Sequence, residues 1–341
     1  MTPVTHDVDS EDQGLLANVR VLRFDPSHDR APYFDLFQLW VEPGMTVLAV
    51  LQRIKETQDS TLTFRAACRS SICGSCALRI NGKPVLACST QVLPTLVAFW
   101  KSSITITPLA NLPIIRDLVV DIDPVLGKLS RLHPYLIQDP ERVPETLERE
   151  ALVSPRELHR YDSNTDCILC GSCVSNCSTM ELERAYAGPF VLAKAYRFCA
   201  DPRDGFRSPR LQAAQDQGLW SCAQCRKCVT VCPKGTAPAR AIQRLRKMSI
   251  DDGIIDTPGS KRAKAYTADV ARLGQVNKPM LPVVVNGPRG WAAIEAEAAF
   301  MNAHGVEHGL VVATLPGQPM AARIHERALE IETAQQEDTD E

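Results

Sequence analysis

The run Cys222-Ala-Gln-Cys225-Arg-Lys-Cys228-Val-Thr-Val-Cys232-Pro233 constrains this chain more than any other stretch. Its spacing, C-x2-C-x2-C-x3-C-P, belongs to thiolates that share two iron–sulfur clusters: three hold one cluster and the fourth reaches the other of the pair. Three thiolates one short turn apart can wrap one corner of a cubane, while the fourth, on the helix that follows, faces away. Such a run requires a mate. Cys167-Ile-Leu-Cys170-Gly-Ser-Cys173-Val-Ser-Asn-Cys177 repeats the same internal spacing. A pair of structural zinc sites is the alternative. Zinc usually takes separated C-x2-C pairs and a closed set of four ligands, and the packed 2-2-3 run with its trailing proline fits a cluster better.

A third motif lies upstream. Cys68-Arg-Ser-Ser-Ile-Cys73-Gly-Ser-Cys76, with Cys88 further on, has the C-x4-C-x2-C…C spacing of a plant-type [2Fe–2S] site. Gly74 and Ser75 let the loop backbone approach a cluster, where amide N–H groups can point at sulfur. The three motifs account for twelve of the thirteen cysteines. Cys199 is left over and reads as a small buried apolar residue. Clustering at ligand spacings, and an odd total, argue against a disulfide framework and for a reducing compartment.

The composition narrows the partners. The net charge is −2, so nothing global suggests a nucleic-acid binder. Residues 1–16 are acidic and polar, without the basic start and apolar core of a signal peptide, and are expected to be disordered. No apolar run approaches the roughly 18 residues that span a bilayer. Membrane contact is therefore expected to be peripheral or through a partner, on the cytoplasmic side. No glycine-rich dinucleotide motif is present to hold flavin.

Read in order, residues 17–25 and 33–42 suggest two strands joined by turn chemistry at Asp25-Pro26-Ser27-His28-Asp29. Thr46 caps a helix to about Thr57. Ala77–Asn81 is a strand, Asn81-Gly82 a hairpin turn, and Ile104–Thr107 a further strand. Residues 17–112 thus form a β-grasp [2Fe–2S] ferredoxin domain. Residues 113–160 make a proline-bearing connector with a helix over about Asp123–Leu132 and a charged, partly helical stretch from Glu145. Residues 161–250 form a mainly helical, bacterial-ferredoxin-type domain for two cubane clusters. The overall class is α+β. From Cys222 to Ile250 the chain holds seven basic and no acidic residues, a solvated helix face or a surface for lipid head groups or an acidic partner. Residues 251–341 form an extension: a break at Thr257-Pro258-Gly259-Ser260, helices over Ala263–Leu273, Ala292–Ala303 and Pro319–Glu332, an irregular stretch between Pro279 and Gly290, and an acidic disordered tail. His304, His308 and His325 read as surface or packing residues.

A plant-type [2Fe–2S] domain followed by a two-cluster domain resembles the iron–sulfur subunit of succinate dehydrogenase and fumarate reductase. The resemblance covers roughly residues 17–250 and rests also on Leu112-Pro-Ile-Ile-Arg-Asp-Leu-Val-Val-Asp121, Tyr196-Arg-Phe-Cys-Ala-Asp201-Pro-Arg-Asp204 and Cys232-Pro-Lys-Gly235. It implies a carrier of electrons between a flavoprotein subunit, which holds FAD and interconverts succinate and fumarate, and a quinone-linked membrane partner. The dicarboxylate site would lie on the flavoprotein. By position, Cys68, Cys73, Cys76 and Cys88 would hold the [2Fe–2S] cluster. Cys167, Cys170, Cys173 and Cys232 would hold the central [4Fe–4S] cluster, and Cys177, Cys222 and Cys228 the third. An electron-transfer subunit of another flavoenzyme or a heterodisulfide-reductase-like complex is the alternative.

Two departures stand out. The common form of the family has a [3Fe–4S] third cluster and no cysteine three residues after the position of Cys222. Here Cys225 occupies it, and a fourth thiolate implies a second [4Fe–4S] cluster, or [3Fe–4S] if Cys225 points away. The common form also follows the position of Cys177 with proline and then tryptophans that line a quinone pocket. Here Ser178, Thr179, Met180, Glu181 and Leu182 follow, and Ala223 stands where some members have histidine. Both departures resemble the non-classical branch, whose membrane partner is similar to the cysteine-rich subunit of heterodisulfide reductase. The stretch around Lys264–Asn277 resembles the iron–sulfur subunit of that enzyme.

Overall fold

Alternating burial sets the first sheet. In β1 (Leu15–Arg23) Ala17, Val19 and Val21 turn inward, and in β2 (Tyr33–Val41) Phe37, Leu39 and Val41 do the same, the period-2 pattern of a sheet with one covered face. The computed structural model describes residues 14–98, 103–139, 141, 150–305, 320, 323–324 and 327. The expected disorder of residues 1–16 fails at Leu15 and Leu16, which pair in β1; residues 1–13, most of the helix over 319–332, the acidic tail, and His308 and His325 lie outside the described residues. The chain divides into two compact units, Met1–Leu245 and Arg246–Glu341.

The first unit begins with the β1–β2 hairpin. Thr46 caps α1 (Val47–Thr57) by accepting from the Ala49 amide at 3.2 Å, and α1 buries Val47, Leu48, Val50, Leu51 and Ile54. Next come β3 (Ala77–Ile80), β4 (Lys83–Leu86), α2 (Val92–Ala98) and β5 (Ser103–Thr107). The strand order is β2-β1-β5-β3-β4, with β1 and β5 parallel and the other pairs antiparallel. Asn81 and Gly82 turn the β3–β4 hairpin at φ 49° and 84°, as an Asn-Gly pair allows. Helix α2 has no counterpart in the sequence reading. Its Pro94 falls in the first turn, where a missing N–H costs nothing.

Part of the expected connector is structured. β6 (Ile114–Arg116) and β7 (Val119–Val120) pair as a small hairpin, followed by α3 (Asp123–Ser130). Asp117, at the hairpin tip, is 2% exposed. Its carboxylate accepts from Arg23 Nε, the Phe24 amide and the Thr63 amide at 2.8–3.0 Å. The hairpin is thereby tied to the first sheet through partners roughly 50 to 90 positions away, which local patterning does not reveal.

The helical part comprises α4 (Pro155–His159), α5 (Asp162–Thr165), α6 (Ser172–Ser175), α7 (Ser178–Leu182), α8 (Pro189–Cys199), α9 (Arg207–Asp216), α10 (Lys227–Thr230) and α11 (Pro238–Asp251). Helix α8 buries eight of its eleven residues, Cys199 among them, so it is the core helix of this part. Arg210 on α9 is fully buried. Its guanidinium meets Asp204 at 2.6 and 3.0 Å and the carbonyls of Leu132, His133 and Tyr135 at 3.0–3.2 Å. In the basic stretch Arg244 donates to the Arg160 carbonyl and the Tyr196 hydroxyl, so at least one of its cations serves the fold.

In the second unit the expected break at Thr257–Ser260 is instead a helix start. Thr257 and Ser260 form a capping box, and Pro258 takes the first helical position, where its fixed φ suits a helix. Helix α12 (Pro258–Leu273) ends at Gly274 with φ 74°. The stretch read as irregular carries α13 (Leu281–Asn286) between two 3-10 turns, and α14 (Gly290–Ala303) follows. The prolines sit at first-turn positions of these elements, where they start helices rather than stop them.

Candidate iron–sulfur centres

Three left-handed residues shape the first loop. Arg69, Ser71 and Gly74 have φ 56°, 59° and 73°, and successive turns of this kind aim amide N–H groups into a common concavity. The Cys68 sulfur accepts from the amides of Ser70, Ile72 and Cys73 at 3.3–3.4 Å. The Cys88 sulfur accepts from the Ser71 amide at 3.3 Å. Cys73 lies 3.1 Å from the Ser75 hydroxyl; that contact, with amide donation, lowers its pKa to about 6. Cys76 is pushed up to about 11 by burial, with Cys88 and Cys73 adding to the effect. All four cysteines of the motif therefore surround one place.

The second group lines a recess formed by Cys167, Cys170, Cys173 and Cys232, with Leu169, Gly171 and Thr236. Burial raises the Cys173 thiol well above its ordinary value, and Cys170, Cys167, Cys228 and Cys232 add to this. Burial also raises Cys167, with Cys170 and Cys232 beside it. The third group is linked in the same way. Burial raises Cys177, next to Cys222 and Cys225. Burial pushes Cys228 up to about 12, and Cys222, Cys177 and Cys225 raise it further. The last cysteine of each run thus stands with the other run: Cys232 with the first three of its mate, Cys177 with Cys222, Cys225 and Cys228.

The two runs share a backbone. Leu169 and Gly171 have φ 54° and 79°, and Gln224 and Arg226, at the matching positions, have 54° and 60°. Cys225 therefore sits in the local conformation of Cys170. Arginine pays a steric penalty of about 1–2 kcal/mol in that conformation where glycine pays none, so the loop is held by its surroundings.

Among the described residues, no group of three or more His, Cys, Asp or Glu stands close enough to hold a single metal ion. A cluster spreads its thiolates more widely than one ion does. The amide-donating loops, the recess and the all-thiol sets fit iron–sulfur clusters. The first two centres are close neighbours. A Cβ on Gly74 would lie 2.7 Å from Cys170 Cβ and 3.1 Å from its Cα. The sequence hinted at close backbone approach by Gly74, but not at Cys170 as the neighbour.

The family model for a 2Fe-2S iron-sulfur cluster binding domain matches residues 18–127, and that for a 4Fe-4S dicluster domain matches residues 163–236. The chain is 36% identical to the 8-methylmenaquinol:fumarate reductase iron-sulfur subunit of Wolinella succinogenes, over 78% of this chain and 83% of that protein. It is 37% identical to the fumarate reductase iron-sulfur subunit of Mycobacterium tuberculosis, over 67% of this chain and 90% of that protein. The chain belongs to the iron–sulfur subunits of fumarate reductase and succinate dehydrogenase. In structure, the subunit matches a chain of the Sdh1 complex of Mycobacterium smegmatis in the apo form, with TM-score 0.61 and 26% identity, over 70% of this chain and 97% of that one. Its fold is the expected α+β arrangement, a [2Fe–2S] ferredoxin domain followed by a [4Fe–4S] dicluster domain. It is an electron-transfer subunit of an oxidoreductase complex, and the zinc reading falls away. No described helix is long and apolar enough to cross a membrane.

Proposed function

We propose that the subunit passes electrons between a flavoprotein partner, where succinate and fumarate interconvert, and a quinone-linked membrane partner. Cys68, Cys73, Cys76 and Cys88 hold a [2Fe–2S] cluster. Cys167, Cys170, Cys173 and Cys232 hold a [4Fe–4S] cluster. Cys177, Cys222, Cys225 and Cys228 hold a second [4Fe–4S] cluster. The shared left-handed backbone of the two runs carries the last assignment, because it gives Cys225 the place that Cys170 has in the first run.

The clusters supply outer-sphere electron transfer, each accepting and releasing single electrons. The chain's own residues do the rest. Amides of Ser70, Ser71, Ile72 and Cys73 donate to thiolate sulfur and favour its anionic form. Gly74 lets the first loop press on the Cys170 loop. Cys73 in the first group and Cys225 in the third are exposed, which suits electron entry and exit at two partners.

The subunit lies on the cytoplasmic face of the membrane and attaches through its partner, which in this reading is similar to the cysteine-rich subunit of heterodisulfide reductase. A match covering 78% of a 341-residue chain cannot end before about residue 265. The likeness to the Wolinella protein therefore reaches into α12, which holds Lys261 and Lys264. The test is selective release of this subunit from the purified complex. Dye-coupled succinate oxidation by the flavoprotein should survive and quinone-coupled turnover should vanish. Before release, crosslinks from Lys261 or Lys264 should reach a cysteine-rich extrinsic subunit. Quinone-coupled turnover without this subunit would refute the relay, and crosslinks only to a membrane-spanning anchor would refute the partner type.

A further inference from the structure

Tyr186 is fully buried just before α8. Its place is fixed on three sides. The Ala187 amide donates to the Gln217 carbonyl at 2.9 Å. The Tyr186 carbonyl accepts from Lys128 Nζ at 2.8 Å. The ring packs on Gly218, where an added Cβ would come within 3.3 Å of ring carbon Cδ2. Yet the hydroxyl itself has no hydrogen-bond partner. Its foremost electrostatic neighbour is the Cys222 thiol, with Cys177 and Cys228 also nearby.

A buried hydroxyl without a partner calls for an explanation. Phenylalanine would fill this space at no such cost. The polar atom faces the third cysteine group, whose sulfurs become strong acceptors once they carry charge. We infer that the Tyr186 hydroxyl donates a hydrogen bond to the Cys222 thiolate of the third cluster and raises that cluster's reduction potential. The inference rests on the assignment of Cys177, Cys222, Cys225 and Cys228 to one cluster.

The sign follows from charge. One-electron reduction makes the cluster and its thiolates more negative. A donor at Cys222 stabilises the reduced form more than the oxidised form, so it favours reduction. Tyr186 is a positioning and tuning residue rather than a catalytic one.

The test is Tyr186→Phe in the intact complex, with each cluster titrated potentiometrically and followed by EPR. The third cluster's reduction equilibrium should shift about tenfold toward the oxidised form, a fall of about 59 mV for one electron. The potentials of the other two clusters should not move. Besides the protons of the Gln224 amide, which donates to the Cys222 sulfur at 3.6 Å, proton ENDOR of the reduced wild-type third cluster should show a coupled exchangeable proton that Tyr186→Phe removes. An unchanged third potential would overturn the inference. Loss of the third cluster from Tyr186→Phe would also overturn it, because the hydroxyl would then be needed to hold the cluster rather than to tune it. A wild-type complex without any third-cluster signal would refute the ligand assignment itself, an outcome separate from an unmoved potential.

Discussion

Gly74→Ala should stall electrons between the first two clusters. The new Cβ would lie 2.7 Å from Cys170 Cβ, against about 3.5–4.0 Å for carbon atoms in contact. The loops must part by about 1 Å. Residue 74 also holds φ 73°, where alanine costs about 1–2 kcal/mol. Overpacking adds about 1–3 kcal/mol. The neighbour is backbone and a short side chain, so no flexible group can swing away. Freeze-quench EPR after mixing the complex with succinate should show the [2Fe–2S] cluster reduced as in wild type, with the later clusters lagging about tenfold or more (on the order of 1.4 kcal/mol per decade). Unchanged transfer with full cluster content would show that the Gly74–Cys170 contact does not set the path.

Arg210→Met should cost the fold more than any surface change. Both members of the Arg210–Asp204 pair have no exposed side-chain surface. Removing the cation leaves a buried carboxylate and three carbonyls, of Leu132, His133 and Tyr135, without their donor. Breaking a buried pair from one side costs about 3–5 kcal/mol. For a unit of this size that lowers the melting temperature by about 10 °C. Arg210→Lys should rescue only part of it, since one ammonium cannot reproduce the fork that meets Asp204 twice and the carbonyls besides. Thermal scans followed by cluster absorbance check both variants. A melting point within about 2 °C of wild type would show that the pair does not brace the 132–139 segment.

The cysteine spacing made the centres legible because cluster ligation constrains sequence locally. The β1–β2 and β3–β4 hairpins were legible for the same reason: alternation and an Asn-Gly turn are written in neighbouring residues. What escaped was set at a distance. The β6–β7 hairpin depends on Asp117 reaching Arg23, Phe24 and Thr63. The close approach of Gly74 to Cys170 joins residues that no periodicity connects. The prolines of the second unit misled because their effect depends on position: at a first turn they begin a helix, and Pro258, Pro279 and Pro282 all stand there.

The central claim is a relay whose third cluster is cubane, completed by Cys225. The most direct measurement is an iron count paired with low-temperature EPR of the air-oxidised complex, for wild type and Cys225→Ser. Wild type should carry about ten irons per chain, as one two-iron and two four-iron clusters, with little or no oxidised three-iron signal. Cys225→Ser should lower the count toward about nine and bring that signal up. About nine irons and a strong three-iron signal already in wild type, unchanged by Cys225→Ser, would contradict the account and leave Cys225 a bystander at the protein surface.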